Sequence, residues 1–157
     1  MNNNNVLVAG GGIGGLACAL AMARAGASVN VMEQANAFGE VGAGLQLGPN
    51  AVRVLHEWGL TDALRACAAF PESLRVCDAR TAKSLGRLKL GAVVLARYGQ
   101  PYVTLHRADL HTLLLDAVQR QANVALSLNT RIASFEATAS GVSVHTEDGR
   151  EVIGDAL

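Results

Sequence analysis

At 157 residues, half of them hydrophobic and only 17% charged, the chain has the size and apolar content of one folded domain rather than a disordered segment. Thirteen basic residues balance thirteen acidic ones, which excludes a basic stripe for nucleic acid or an anionic membrane. Three cysteines, Cys18, Cys67 and Cys77, show no metal or redox spacing and an odd count, so they read as buried thiols in a reducing cytoplasm.

The apolar run 6–9 reads as a strand. It leads directly into Gly10-Gly-Gly-Ile-Gly-Gly15 and an Ala/Leu-rich helix whose Leu16, Leu20 and Ala23 fall at helical spacing, with Gly26 stopping it. Residues 28–32 read as a second strand. Strand, glycine turn and helix together place free backbone N–H groups and the positive end of a helix dipole where a pyrophosphate can dock. Gly10, Gly12 and Gly15 fit G-x-G-x-x-G, with Ile13 and Gly14 between them. The first glycine permits the tight turn, the second lets phosphate oxygens approach the backbone, and the third lets the helix pack close to the strand. Glu33 then ends the second strand about 20 residues on, where an acid accepts hydrogen bonds from the ribose hydroxyls of an adenosine. Its charge repels a 2′-phosphate, which points to FAD or NAD rather than NADP. The uncharged stretch 6–23 is long enough for a membrane span, but five glycines crowd its first half and no lysine or arginine precedes it. Neither a span nor an export signal is expected.

After Glu33 comes a glycine-rich connection, residues 38–48. Pro49 suits the first turn of a helix carrying Val52, Leu55 and His56, closed by Trp58-Gly59, and residues 60–69 read as another short helix. Residues 74–78 and 84–90 alternate like two strands joined by a polar turn, and 102–105 is a third. Asp109 opens a helix with Leu110, Leu113, Leu114, Ala117 and Val118 on one face. Residues 124–128 and 131–137 read as strands, and Asp148-Gly149 marks a hairpin between 142–146 and 151–153. The last residues, 154–157, look like part of a further strand. Of the four histidines, none forms a metal spacing; His111 and His145 read as solvated or packed.

Gly42-Ala-Gly-Leu-Gln-Leu-Gly-Pro-Asn-Ala51 and Tyr102-Val-Thr-Leu-His-Arg-Ala-Asp-Leu-His111, taken with the N-terminal fingerprint, resemble the group A flavoprotein monooxygenases. The likeness is strongest to the salicylate, 3-hydroxybenzoate and 6-hydroxynicotinate hydroxylases, and it covers essentially the whole chain. The resemblance implies an α/β fold, a Rossmann-like FAD-binding βαβ domain of the para-hydroxybenzoate hydroxylase type with part of a substrate-side β-sheet inserted. Residues 1–70 and 107–157 would form the cofactor domain and 71–106 the partial substrate sheet. Gly10, Gly12, Ile13, Gly14 and Gly15 would hold the FAD pyrophosphate and Glu33 the adenosine ribose. Gln34 stands where many relatives carry an arginine. Gln46 would lie near the isoalloxazine and ribityl chain, Arg107 would reach the flavin side, and the strand around Asn129 to Ile132 would touch adenine through its backbone.

The activity implied is hydroxylation of an aromatic hydroxy acid with NADH or NADPH as electron donor and O₂ as co-substrate. Family members are more than twice as long, so the chain looks like the N-terminal portion of such an enzyme, inactive alone, with the catalytic base beyond Leu157. Apolar surface left open on the substrate-side strands predicts self-association. A NAD-linked dehydrogenase built on the same fingerprint and an inactive FAD-binding remnant are the rival readings.

Overall fold

The computed structural model describes residues 4–39 and 42–157. The chain divides into two units, Met1–Glu40 with His111–Leu157, and Val41–Leu110.

The first unit opens with β1 (Asn5–Ala9), α1 (Ile13–Arg24) and β2 (Ser28–Met32). β1 and β2 pair in parallel, Asn5 against Ser28 through Ala9 against Met32, with α1 as the crossover that parallel neighbours need. α1 buries Leu16, Ala19, Leu20 and Ala23, the stripe expected from the sequence. Gly26, at φ +92, turns the chain into β2, and the Asn123 side-chain amide donates to the carbonyls of Ala23 (2.9 Å) and Ala27 (2.7 Å) to fix that turn. Cys18 is exposed, not buried as expected. It lies two residues past Leu16, about 200° around the helix and so on the solvent side.

The helix α5 (Arg107–Gln119) buries Leu110, Leu113, Leu114, Ala117 and Val118. It leads to β7 (Val124–Ser127), which pairs in parallel with β2. β8 (Ile132–Thr138), β9 (Gly141–Thr146) and β10 (Glu151–Gly154) form an antiparallel sheet. Val142 and Val144 from that sheet share a buried cluster with Leu7 and Met32, and Ile132 and Val152 pack at its border. The chain then returns to the free side of β1, where Ala156 bridges Val6 in parallel and its carbonyl accepts from Leu7 N at 2.8 Å. The spatial order is therefore β7, β2, β1, Ala156. Sequence order reverses at β1, the topological position where open α/β sheets bind ligands.

The second unit holds β3 (Gly44–Leu47), α2 (Pro49–Glu57), α3 (Thr61–Cys67), β4 (Ser73–Cys77), β5 (Ser84–Lys89), α4 (Gly91–Tyr98) and β6 (Val103–His106). Pro49 occupies the first turn of α2, and Val52 and Leu55 are buried. β4 and β5 form the expected ribbon, with Leu74 opposite Leu88. Cys77 on this ribbon is exposed and Cys67 is half-buried; all three cysteines are free thiols. β3 and α4 were not expected from the sequence. Part of the glycine-rich connection, Glu40 and Val41, lies outside the described residues.

Candidate dinucleotide site

In the first unit the glycine turn leaves β1 at Gly10, whose φ of +100 only glycine adopts without strain. Its N–H donates to the Met32 carbonyl at 2.8 Å, so the turn starts in register with the end of β2. Gly12 is the N-cap of α1, with no side chain capping the helix and no acidic residue in the first turn. The first amides of α1 are thus not used up by a side chain of the helix's own first turn. Gly15 faces back onto the turn. A Cβ at Gly15 would run into the Gly10 carbonyl oxygen and lie 3.0 Å from its carbon, which is the close approach the third glycine provides. Gly14 is exposed, and a Cβ there would meet nothing within 4 Å.

Glu33 follows β2 directly. One carboxylate oxygen accepts from Gly11 N at 2.6 Å and the other from Ala35 N at 2.8 Å. An ionised carboxylate offers about four lone-pair sites, so two remain for further donors. A cleft of about 390 Å³ opens here, lined by Gly10, Glu33, Gln34, Thr130, Arg131 and Ile132 among others. Gln34 is exposed at its mouth. The connection from β7 to β8 closes the far wall: Thr130 N donates to the Glu33 carbonyl at 2.8 Å and Asn129 N to the Ala35 carbonyl at 3.0 Å.

Asn129 is not in a strand, contrary to expectation. It takes φ +51 in the turn before β8, and the cleft is lined by the three residues after it. Asparagine tolerates that left-handed conformation better than most side chains, which suits it to the turn. Thr130 and Arg131 belong to the segment 129–132 that the resemblance sets beside adenine, though neither stands out there as a side chain.

The second unit brings together the two motifs that carried the family resemblance. β3 and β6 pair antiparallel, with Gly44 opposite His106 and Gln46 opposite Thr104. Arg107 N donates to the Ala43 carbonyl at 3.2 Å where β6 passes into α5. Gly42 is packed against this junction: a Cβ would fall 2.9 Å from Arg107 Cβ and 3.2 Å from the His106 ring. Gln46 and Arg107 are both exposed.

A family model described as an FAD binding domain matches residues 3–153. The chain belongs to this family of FAD-binding domains. It is 41% identical over 152 residues to a 3-hydroxybenzoate 6-hydroxylase of Polaromonas naphthalenivorans, covering 97% of this chain and 38% of that protein. It is 35% identical over 144 residues to a 6-hydroxynicotinate 3-monooxygenase of Bordetella bronchiseptica, covering 92% and 37%. The crystal structure of Klebsiella pneumoniae HpxO complexed with FAD and uric acid aligns with a TM-score of 0.84 at 27% identity, over 98% of this chain and 38% of that one. The chain thus spans somewhat over a third of the length of the relatives it matches. The FAD-binding domain's own geometry fits the cofactor: Glu33, an acid with acceptor capacity to spare, borders both the cleft at Gly10 and a second one lined by Gly11 and Gly12 at the uncapped N-terminus of α1. Among its described residues no helix is long and apolar enough to cross a membrane.

Proposed function

We propose that the chain holds FAD for a monooxygenase that hydroxylates an aromatic hydroxy acid, with NADH or NADPH as electron donor. In this reading Gly10, Gly12, Ile13, Gly14 and Gly15 take the pyrophosphate and Glu33 the adenosine ribose, with Gln34 beside it. The backbone from Asn129 to Ile132 borders adenine, and Gln46 and Arg107 serve the flavin end. Residues 1–70 and 107–157 act as the cofactor domain and 71–106 as the substrate side. Bound FAD supplies the O₂-activating redox chemistry, while the chain binds and orients it. The three free thiols suit a cytoplasmic setting.

One observation carries the reading: the Glu33 carboxylate grips the glycine turn itself, at Gly11 N, so ribose acceptor and phosphate cradle form one unit. The names of the relatives support the aromatic substrate class. Gly12 sits at φ −75, ψ −178, a conformation open to any side chain. Gly12→Val therefore tests ligand access rather than backbone strain. Calorimetry on the purified chain should show binding of FAD in preference to NAD, lost in Gly12→Val with the fold intact by circular dichroism. Preference for NAD would favour the dehydrogenase reading, and unchanged FAD binding in the variant would remove the glycine turn from the site.

A further inference from the structure

His111 lies in the second turn of α5 and is only 3% exposed. Its Nε2 is 2.8 Å from the carbonyl oxygen of Gly11, a hundred residues away. A carbonyl oxygen only accepts, so Nε2 carries the proton and donates. That bond has a consequence for the neighbouring amide. The Gly11 carbonyl and the Gly12 N–H belong to one planar peptide, trans like every peptide among the described residues. They point in opposite directions. Holding the oxygen on His111 therefore turns the Gly12 N–H away from α5.

The peptide on the other side of Gly11 is held as well, since its N–H donates to Glu33 at 2.6 Å. Both peptide planes that meet at Gly11 are thus pinned by side chains, one from the end of β2 and one from α5. Only glycine fits there, because a Cβ would meet the Phe38 ring and lie 3.3 Å from Glu33 Cβ. A run of three glycines would otherwise sample many backbone orientations and lose that freedom on binding.

We infer that His111 is a positioning residue for the phosphate-binding turn: it presets the Gly12 amide toward a diphosphate without touching the ligand. This rests on the glycine turn being the pyrophosphate site. The bond needs a donor at the reach of Nε2, which a glutamine amide supplies and an asparagine or leucine side chain does not.

The test compares ADP with adenosine, by calorimetry, on the chain and on His111→Gln, His111→Asn, His111→Leu and Gly12→Val, each checked for folding by thermal melting. In the Asn and Leu variants ADP affinity should fall about tenfold, the weight of one hydrogen bond at a charged ligand, while Gln stays within about threefold of the parent. Adenosine affinity should be the same throughout, because it lacks the phosphates. Equal losses for ADP and adenosine would make His111 merely structural and overturn the inference, as would a Gln variant as weak as Leu. If Leu does not fold, the Asn–Gln pair decides alone. Parent-like ADP binding in Gly12→Val would show instead that the underlying site is wrong, whatever the His111 variants do.

Discussion

At Gly15 and Gly14 the fingerprint's spacing is a matter of where a single methyl group would go. Ala at position 15 would drive Cβ into the Gly10 carbonyl, and backbone cannot step aside cheaply. Gly15→Ala should destabilise the chain by about 1–3 kcal/mol, the scale of overpacking a tight contact. Gly14 has open space around it, so Gly14→Ala should be neutral or stabilise by up to about 1 kcal/mol through helix propensity. Urea unfolding of the two single variants measures both. Equal destabilisation would mean that helix-to-strand packing does not set the third glycine. These glycines and Glu33 were legible because a fixed chemical need recurs at a fixed interval. The role of His111 is not legible in the same way, since a lone histidine carries no spacing. Its signal was positional: it interrupts the apolar face of Leu110, Leu114 and Val118, where a polar ring is buried only with a partner. Cys18 shows that a uniformly small, apolar helix still keeps a solvent side.

At the scale of elements, strands and helices with a strong period or a turn signature were readable, and the exceptions have physical causes. β3 was hidden in a glycine-rich run whose extended form comes from pairing with β6, sixty residues later in the chain. The α4 segment shows little in the sequence because no side chain caps its N-terminus and none of its residues is buried, although Gly99 closes it in the left-handed conformation. The β9–β10 hairpin, by contrast, was legible from Asp148-Gly149, with Gly149 at φ +85. The structure adds a charge effect. Hydrogen bonding from the Thr146 hydroxyl, with Arg150 also donating, holds the Asp148 carboxyl below the usual carboxylate range. A carboxyl whose folded value is depressed adds stability above its unfolded value of about 3.9, and that contribution fades as pH falls through the lower folded value. A carboxyl-detected NMR titration should place Asp148 low in the native chain and nearer the ordinary value in Thr146→Val. An unshifted Asp148 in the native chain would refute the assignment.

For the molecule as a whole, the β4–β5 ribbon is the least settled surface. Leu74, Val76 and Leu88 share one face at 50%, 55% and 59% exposure, while Arg75 and Arg87 pair on the other. Apolar side chains on an exposed two-stranded ribbon favour contact with another copy. Light scattering should show concentration-dependent association of the chain, reduced in the double variant Leu74→Lys, Leu88→Lys; a monomer at all concentrations would contradict this. The two pins on Gly11 also differ in how far the chain must reach to make them. Glu33 is 22 residues from Gly11 and His111 is 100. Loop-closure entropy grows only with the logarithm of that separation, so the longer closure costs about 1.3 kcal/mol more. The difference is modest, yet it orders events: as the chain folds, the β1–α1–β2 crossover sets the Glu33 side of the glycine turn locally, and the half held by His111 waits for α5 to dock.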